Sequence, residues 1–154
     1  MEKIMFVCTG NMCRSPFAAA VLRKMFADIG LDPAGIASCG TYDLGHEPRD
    51  PMMVNVSAEL GYTLDGETIY MGEVNWKEVS LIIIMSEYHR NELTKVVPYD
   101  KWNKIKLFNA YFLGNTGEVP DPHYQTEAVY RQSAEMIVRG CAAYIERIKV
   151  KEQV

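Results

Sequence analysis

Hydrophobic and polar positions along the chain follow two rhythms. Short unbroken apolar runs have the length of strands: residues 4–7, "GIASCG" at 35–40, "LIIIM" at 81–85 and "IKLF" at 105–108. The three successive isoleucines at 82–84 mark a strand covered on both faces. Between these runs, apolar residues recur at helical spacing. Residues 16–29 place Ala18, Leu22, Met25 and Ile29 on one stripe and stop at Gly30. Residues 50–62 open with Asp50-Pro51, a cap and a first-turn proline, and stop at Gly61. A shorter helix over 87–95 ends before Pro98. Ala134, Ile137, Val138, Cys141, Ala142, Ile145 and Ile148 form one face of a long C-terminal helix. Residues 63–78 and 109–120 lack such a pattern and read as loop with one helical turn at most.

Strands alternating with helices predict a single α/β domain over residues 1–154. It has three layers, with a four-stranded parallel sheet flanked by helices. Such sheets bind ligands beyond the C-terminal ends of their strands. Cys8, Ser38, Ser86 and the segment after residue 108 therefore share one rim.

Composition narrows the function. The net charge is −4 with no dense Lys/Arg block, which argues against a nucleic-acid partner. No apolar stretch approaches the roughly 20 residues of a membrane span. The chain runs from Met1-Glu2-Lys3 straight into a strand, leaving no room for a secretory leader, so a cytoplasmic location is expected. The 4 cysteines do not suggest a disulfide scaffold. Cys8 and Cys13 lack the second cluster of a zinc site, and Cys39 and Cys141 read as buried, inert thiols. His46 and His89 have no metal-ligand spacing, so neither a metal nor another cofactor is expected.

The chemistry concentrates in "FVCTGNMCRSP", residues 6–16. Cys8 ends the first strand, and the loop after it turns into a helix at Ser15-Pro16. Successive backbone N–H groups in such a loop form an anion cradle at the helix N-terminus. Gly10 supplies a backbone conformation that other residues resist. Arg14 adds a planar fork matched to two phosphate oxygens. The same positive environment favours the thiolate, placing a nucleophile at the centre of a phosphate site. A nucleotide-binding P-loop is excluded, because the required lysine is missing.

These residues resemble the low-molecular-weight protein tyrosine phosphatase family. Val7-Cys8-Thr9-Gly10-Asn11-Met12-Cys13-Arg14-Ser15-Pro16 matches its phosphate-binding loop, and Asp121-Pro122-His123-Tyr124 matches its Asp-Pro before the last helix. The resemblance runs from residue 3 to about 148. It implies that Cys8 becomes phosphocysteine, Arg14 binds the transferring group and Ser15 donates a hydrogen bond to the Cys8 sulfur. Asn11 holds the loop, which Thr9, Gly10, Met12 and Cys13 complete. Asp121 protonates the leaving oxygen, with His123 the rival acid. It further implies a monomer acting on phosphotyrosine in a protein or peptide, an oxyanion in the loop, and a reversible Cys8–Cys13 disulfide under peroxide.

The chain also departs from the family pattern. The loop "SCGTYDLGHEP" is about two residues short, leaving Tyr42 to line the substrate. Tyr124 stands alone where many members have two adjacent tyrosines. No histidine lies near Glu67 to brace the loop, although Ser38 fits a supporting role. Met85-Ser86-Glu87 replaces Met-Asp-Glu. Three alternatives have sequence-level tests. An arsenate reductase needs relay cysteines, and residues 82–95 hold none. A protein-arginine phosphatase tends to carry threonine at the position of Met12. A silent phosphotyrosine-binding module would lack Cys8, Arg14 or Asp121, and all three are present.

Overall fold

The computed structural model describes residues 2–152. Four strands, β1 (Ile4–Cys8), β2 (Ile36–Gly40), β3 (Leu81–Ile84) and β4 (Ile105–Leu107), alternate with helices α1 (Arg14–Asp28), α2 (Pro51–Glu59), α3 (Tyr88–Leu93) and α4 (Glu127–Glu152). All strand pairs are parallel, in the order β2-β1-β3-β4. The predicted α/β architecture is the one observed.

Alternation along β1 divides the core. Ile4, Phe6 and Cys8 face α1 and α4, where Phe17, Leu22, Ile137 and Cys141 are buried. Met5 and Val7 face the other layer with Ile82, Ile84, Leu93 and Trp76. This parity turns Cys8 toward α1, whose first turn follows the same loop. Cys39 and Cys141 are also fully buried, and burial pushes both thiols well above their ordinary pKa.

Helix ends follow the sequence closely. Past α1, Leu31 N donates to Phe26 O and Gly30 N to Ala27 O, with Gly30 at φ 80°. This 6→1 and 5→2 pattern closes the last turn through a left-handed residue. Gly61, at φ 91°, ends α2 in the same way. The Asp50 side chain accepts from Met52 N and Met53 N and starts α2.

Residues 63–78 correct the sequence reading, while 109–120 keep to it with one helical turn. Residues 63–78 contain two 3₁₀ turns, Met71–Glu73 and Trp76–Glu78, and the buried Trp76 indole donates to Met71 O at 2.9 Å. They fill the second layer, where α3 is too short to cover the sheet. After β4, Asn109–Leu113 forms a π-helical turn. On α4, Ala142 faces solvent, while Gly140 and Tyr144 join the buried face. A Cβ at Gly140 would lie 2.4 Å from the Phe108 ring, so the close approach of α4 requires glycine there.

Candidate active site

The Cys8 loop leaves β1 at the rim and returns as α1. Cys8 and Arg14 are only 3% and 2% exposed. Among the described residues, the amides of Gly10 to Cys13 donate to no protein acceptor, which leaves them available to an anion. The loop lies against the end of β2: Thr41 N donates to Cys8 O and Tyr42 N to Thr9 O. A Cβ at Gly40 would meet Thr9 O at 2.6 Å and Asn11 N at 3.0 Å, so this packing tolerates no side chain.

Gly10 is not the left-handed residue of the loop. That position is Asn11, at φ 58°. Its side chain compensates for the strain, because Nδ2 donates to Ser15 Oγ and Ser38 Oγ while Oδ1 accepts from Ile69 N. Gly10 instead leaves room: an added Cβ would lie 3.2 Å from Leu44 Cδ1.

Ser15 Oγ lies 2.9 Å from Cys8 Sγ and 3.3 Å from Cys39 O. With Asn11 donating to it, the single hydroxyl hydrogen is left for these two, and the sulfur is nearer. Arg14 Nη1 donates to Ser86 Oγ and Val119 O, both at 3.1 Å, and Nη2 stands 3.5 Å from Asp121 Oδ2. The Asp121 side chain is half exposed, and its Oδ1 accepts from His123 N. One arginine thus joins the loop, the end of β3 and the Asp-Pro segment.

A pocket of about 320 Å³ opens over the loop, between Tyr42 and Leu44 on one side and Asp121 and His123 on the other; Met12 also lines it. Tyr124, expected to line the substrate, is not among the residues lining this pocket. It sits at φ 61° with its side chain 93% exposed, and the preceding His123 faces the pocket.

Several site residues escaped the sequence. His89 is fully buried, accepting from Ser86 N at Nδ1, with Nε2 at 3.0 Å from Thr9 Oγ1. Burial and Arg14 push its pKa down to about 4, so the neutral ring donates from Nε2 to Thr9. The Tyr88 hydroxyl also meets Thr9 Oγ1. Arg49 reaches Asn11 from the far side of the loop. Cys13 Sγ donates to Asp50 Oδ2 at 3.3 Å, and burial with the Asp50 charge holds that thiol well above its ordinary pKa. Only the unusual residue before Asp50-Pro51 and the "SEYH" after β3 could have hinted at Arg49 and His89. Among the described residues, no group of three or more His, Cys, Asp or Glu is arranged to hold a metal ion, and no helix is long and apolar enough to cross a membrane.

Fold and site define a class: α/β enzymes that carry a cysteine in an anion-binding loop after the first strand. Residues 3–154 match the low molecular weight phosphotyrosine protein phosphatase family, and the chain belongs to it. A low molecular weight protein-tyrosine-phosphatase of Streptomyces coelicolor is 31% identical over 159 residues, covering 99% of this chain and 95% of that protein. A protein tyrosine phosphatase of Entamoeba histolytica, solved with Hepes in its active site, superimposes with a TM-score of 0.86 at 29% identity, covering 99% of each chain. Wzb of Vibrio vulnificus, in complex with benzylphosphonate, gives 0.82 at 25% identity, covering 95% of this chain and 98% of that one.

Proposed function

We propose that the protein hydrolyses phosphotyrosine in protein substrates through a phosphocysteine intermediate. The Cys8 sulfur attacks phosphorus, forming the S–P bond as the P–O ester bond breaks. Asp121 gives its proton to the departing phenolic oxygen. The Asp121 carboxylate then takes a proton from water, whose oxygen attacks phosphorus and expels the sulfur. Ser15 stabilises that sulfur as it leaves. Arg14 and the loop amides hold the equatorial oxygens throughout. The observation that carries this reading is the arrangement of Arg14, bonded to the loop's surroundings and 3.5 Å from Asp121, beside a Cys8 sulfur 2.9 Å from Ser15 Oγ.

Hydrolysis of an aryl phosphate, with vanadate as inhibitor, is the direct test. Turnover that vanadate blocks is expected; binding without turnover would leave a phosphotyrosine-binding module. The pocket favours a flat ester over phosphoarginine, because Met12, Tyr42 and Leu44 supply apolar walls.

Asp121→Asn should slow an alkyl-like ester by about 10²-fold or more, yet leave a substrate with an excellent leaving group within about threefold. Equal slowing of both would assign the proton to another group, with His123 next in line.

Cys13 gives the site a redox response in this reading. Peroxide oxidises the Cys8 sulfur to a sulfenic acid and is itself reduced to water. The Cys13 sulfur then displaces that hydroxyl as a second water, forming the disulfide. Asp50, which already accepts the Cys13 S–H, takes the thiol proton and gives it up to the departing hydroxyl, so that water leaves. Cys13→Ser should keep near-normal activity before oxidation but lose the recovery that dithiothreitol gives the wild type. Full recovery in that variant would show that Cys13 protects nothing.

A further inference from the structure

Two consecutive residues ahead of α2 hold the phosphate loop from outside the pocket. Arg49 Nη1 donates to Asn11 twice, to the main-chain O at 2.6 Å and to Oδ1 at 2.8 Å. Its Nε donates to Asp65 O at 2.9 Å, which fixes the plane of the guanidinium. Asp50 continues the contact: its N donates to Met12 O, and its carboxylate accepts from Cys13 Sγ. That carboxylate is steered in turn by the Tyr130 hydroxyl of α4 at 2.6 Å. The pair reaches residues 11, 12 and 13 in succession.

The grip falls on the residue that most needs it. Asn11 is the left-handed position of the loop, a conformation that asparagine adopts more readily than other side chains but that contacts on both its polar ends hold in place here. Gly66, at φ 81°, turns the chain beside the guanidinium. His46, 3.9 Å from Glu67, pairs with Glu73 at 2.7 Å, whereas the guanidinium holds Asn11.

We propose that Arg49 is a positioning residue of the phosphate loop, holding Asn11 in its left-handed turn while Asp50 fixes the next two residues. The cradle amides are thereby aimed before the substrate arrives. This rests on the phosphatase reading above. A preorganised cradle favours five-coordinate phosphorus over four-coordinate phosphate, so its loss is felt most in the transition state.

The test compares Arg49→Ala and Arg49→Lys with the wild type, measuring affinities for vanadate and inorganic phosphate, aryl phosphate turnover and thermal unfolding. In Arg49→Ala, vanadate affinity should fall about 100-fold and phosphate affinity only about tenfold, with kcat falling more than KM rises. Added ethylguanidine should restore part of the loss, and Arg49→Lys should fall between. If the alanine variant does not fold, the lysine variant must still lose vanadate affinity more than phosphate affinity. Equal weakening of both anions without rescue, or no weakening, would overturn the proposal. If the wild type binds vanadate through Arg49 without hydrolysing the ester, the phosphatase reading fails and the positioning role stands. Normal hydrolysis with oxyanion affinity indifferent to Arg49 would keep the phosphatase reading and remove the positioning role.

Discussion

Cys8→Ser should abolish turnover, by about 10⁴-fold or more, while inorganic phosphate still binds. A serine hydroxyl at this position is a far weaker nucleophile toward phosphorus than the cysteine sulfur. The anion cradle lies in the backbone and Arg14, so the substitution leaves the binding groups in place. Steady-state hydrolysis and phosphate calorimetry, run on the same preparation, check both halves. Turnover within tenfold of the wild type would remove Cys8 as the nucleophile.

Arg14→Lys should lose about 10³-fold in kcat/KM despite keeping the charge. The guanidinium serves three partners at once: Nη1 bonds Ser86 Oγ and Val119 O, while Nη2 faces Asp121 and the pocket. An ammonium at the end of a flexible stem cannot hold Ser86 and Val119 and still offer a planar fork to two phosphate oxygens. One buried acceptor is left without its donor, so a modest fall in thermal stability, about 1–3 kcal/mol, should accompany the loss. Normal activity would mean that the loop is not the phosphate site.

What the sequence made legible is local. The strand that ends in Cys8, the Asp50 cap, the two glycine stops and the loop spacing all follow from residues within a few positions of one another. What it hid depends on contacts between distant segments. Arg49 meets Asn11 across 38 residues, and His89 meets Thr9 across 80. No periodicity marks either pair. Gly10 and Asn11 show the same limit at short range: both tolerate a left-handed turn, and the sequence does not say that Asn11 is the one to adopt it. The rings of His123 and Tyr124 are ordered by one positive φ, which no side-chain pattern reveals. Residues 63–78 looked unstructured because their burial follows 3₁₀ turns too short to leave a repeat.

The first turn of α1 bears on how the site moves. Arg14 through Ala19 are all buried, and α1 packs against both the sheet and α4. The loop is thus the N-terminal end of a core helix, tied also to β2 through Gly40 and to α4 through Asp50 and Tyr130. Regions that open by local fluctuation have few buried contacts, and this loop is tied to the core on several sides. The cradle therefore melts with the domain rather than before it, while its amides, held by no protein acceptor, exchange with solvent deuterium until an anion occupies the loop.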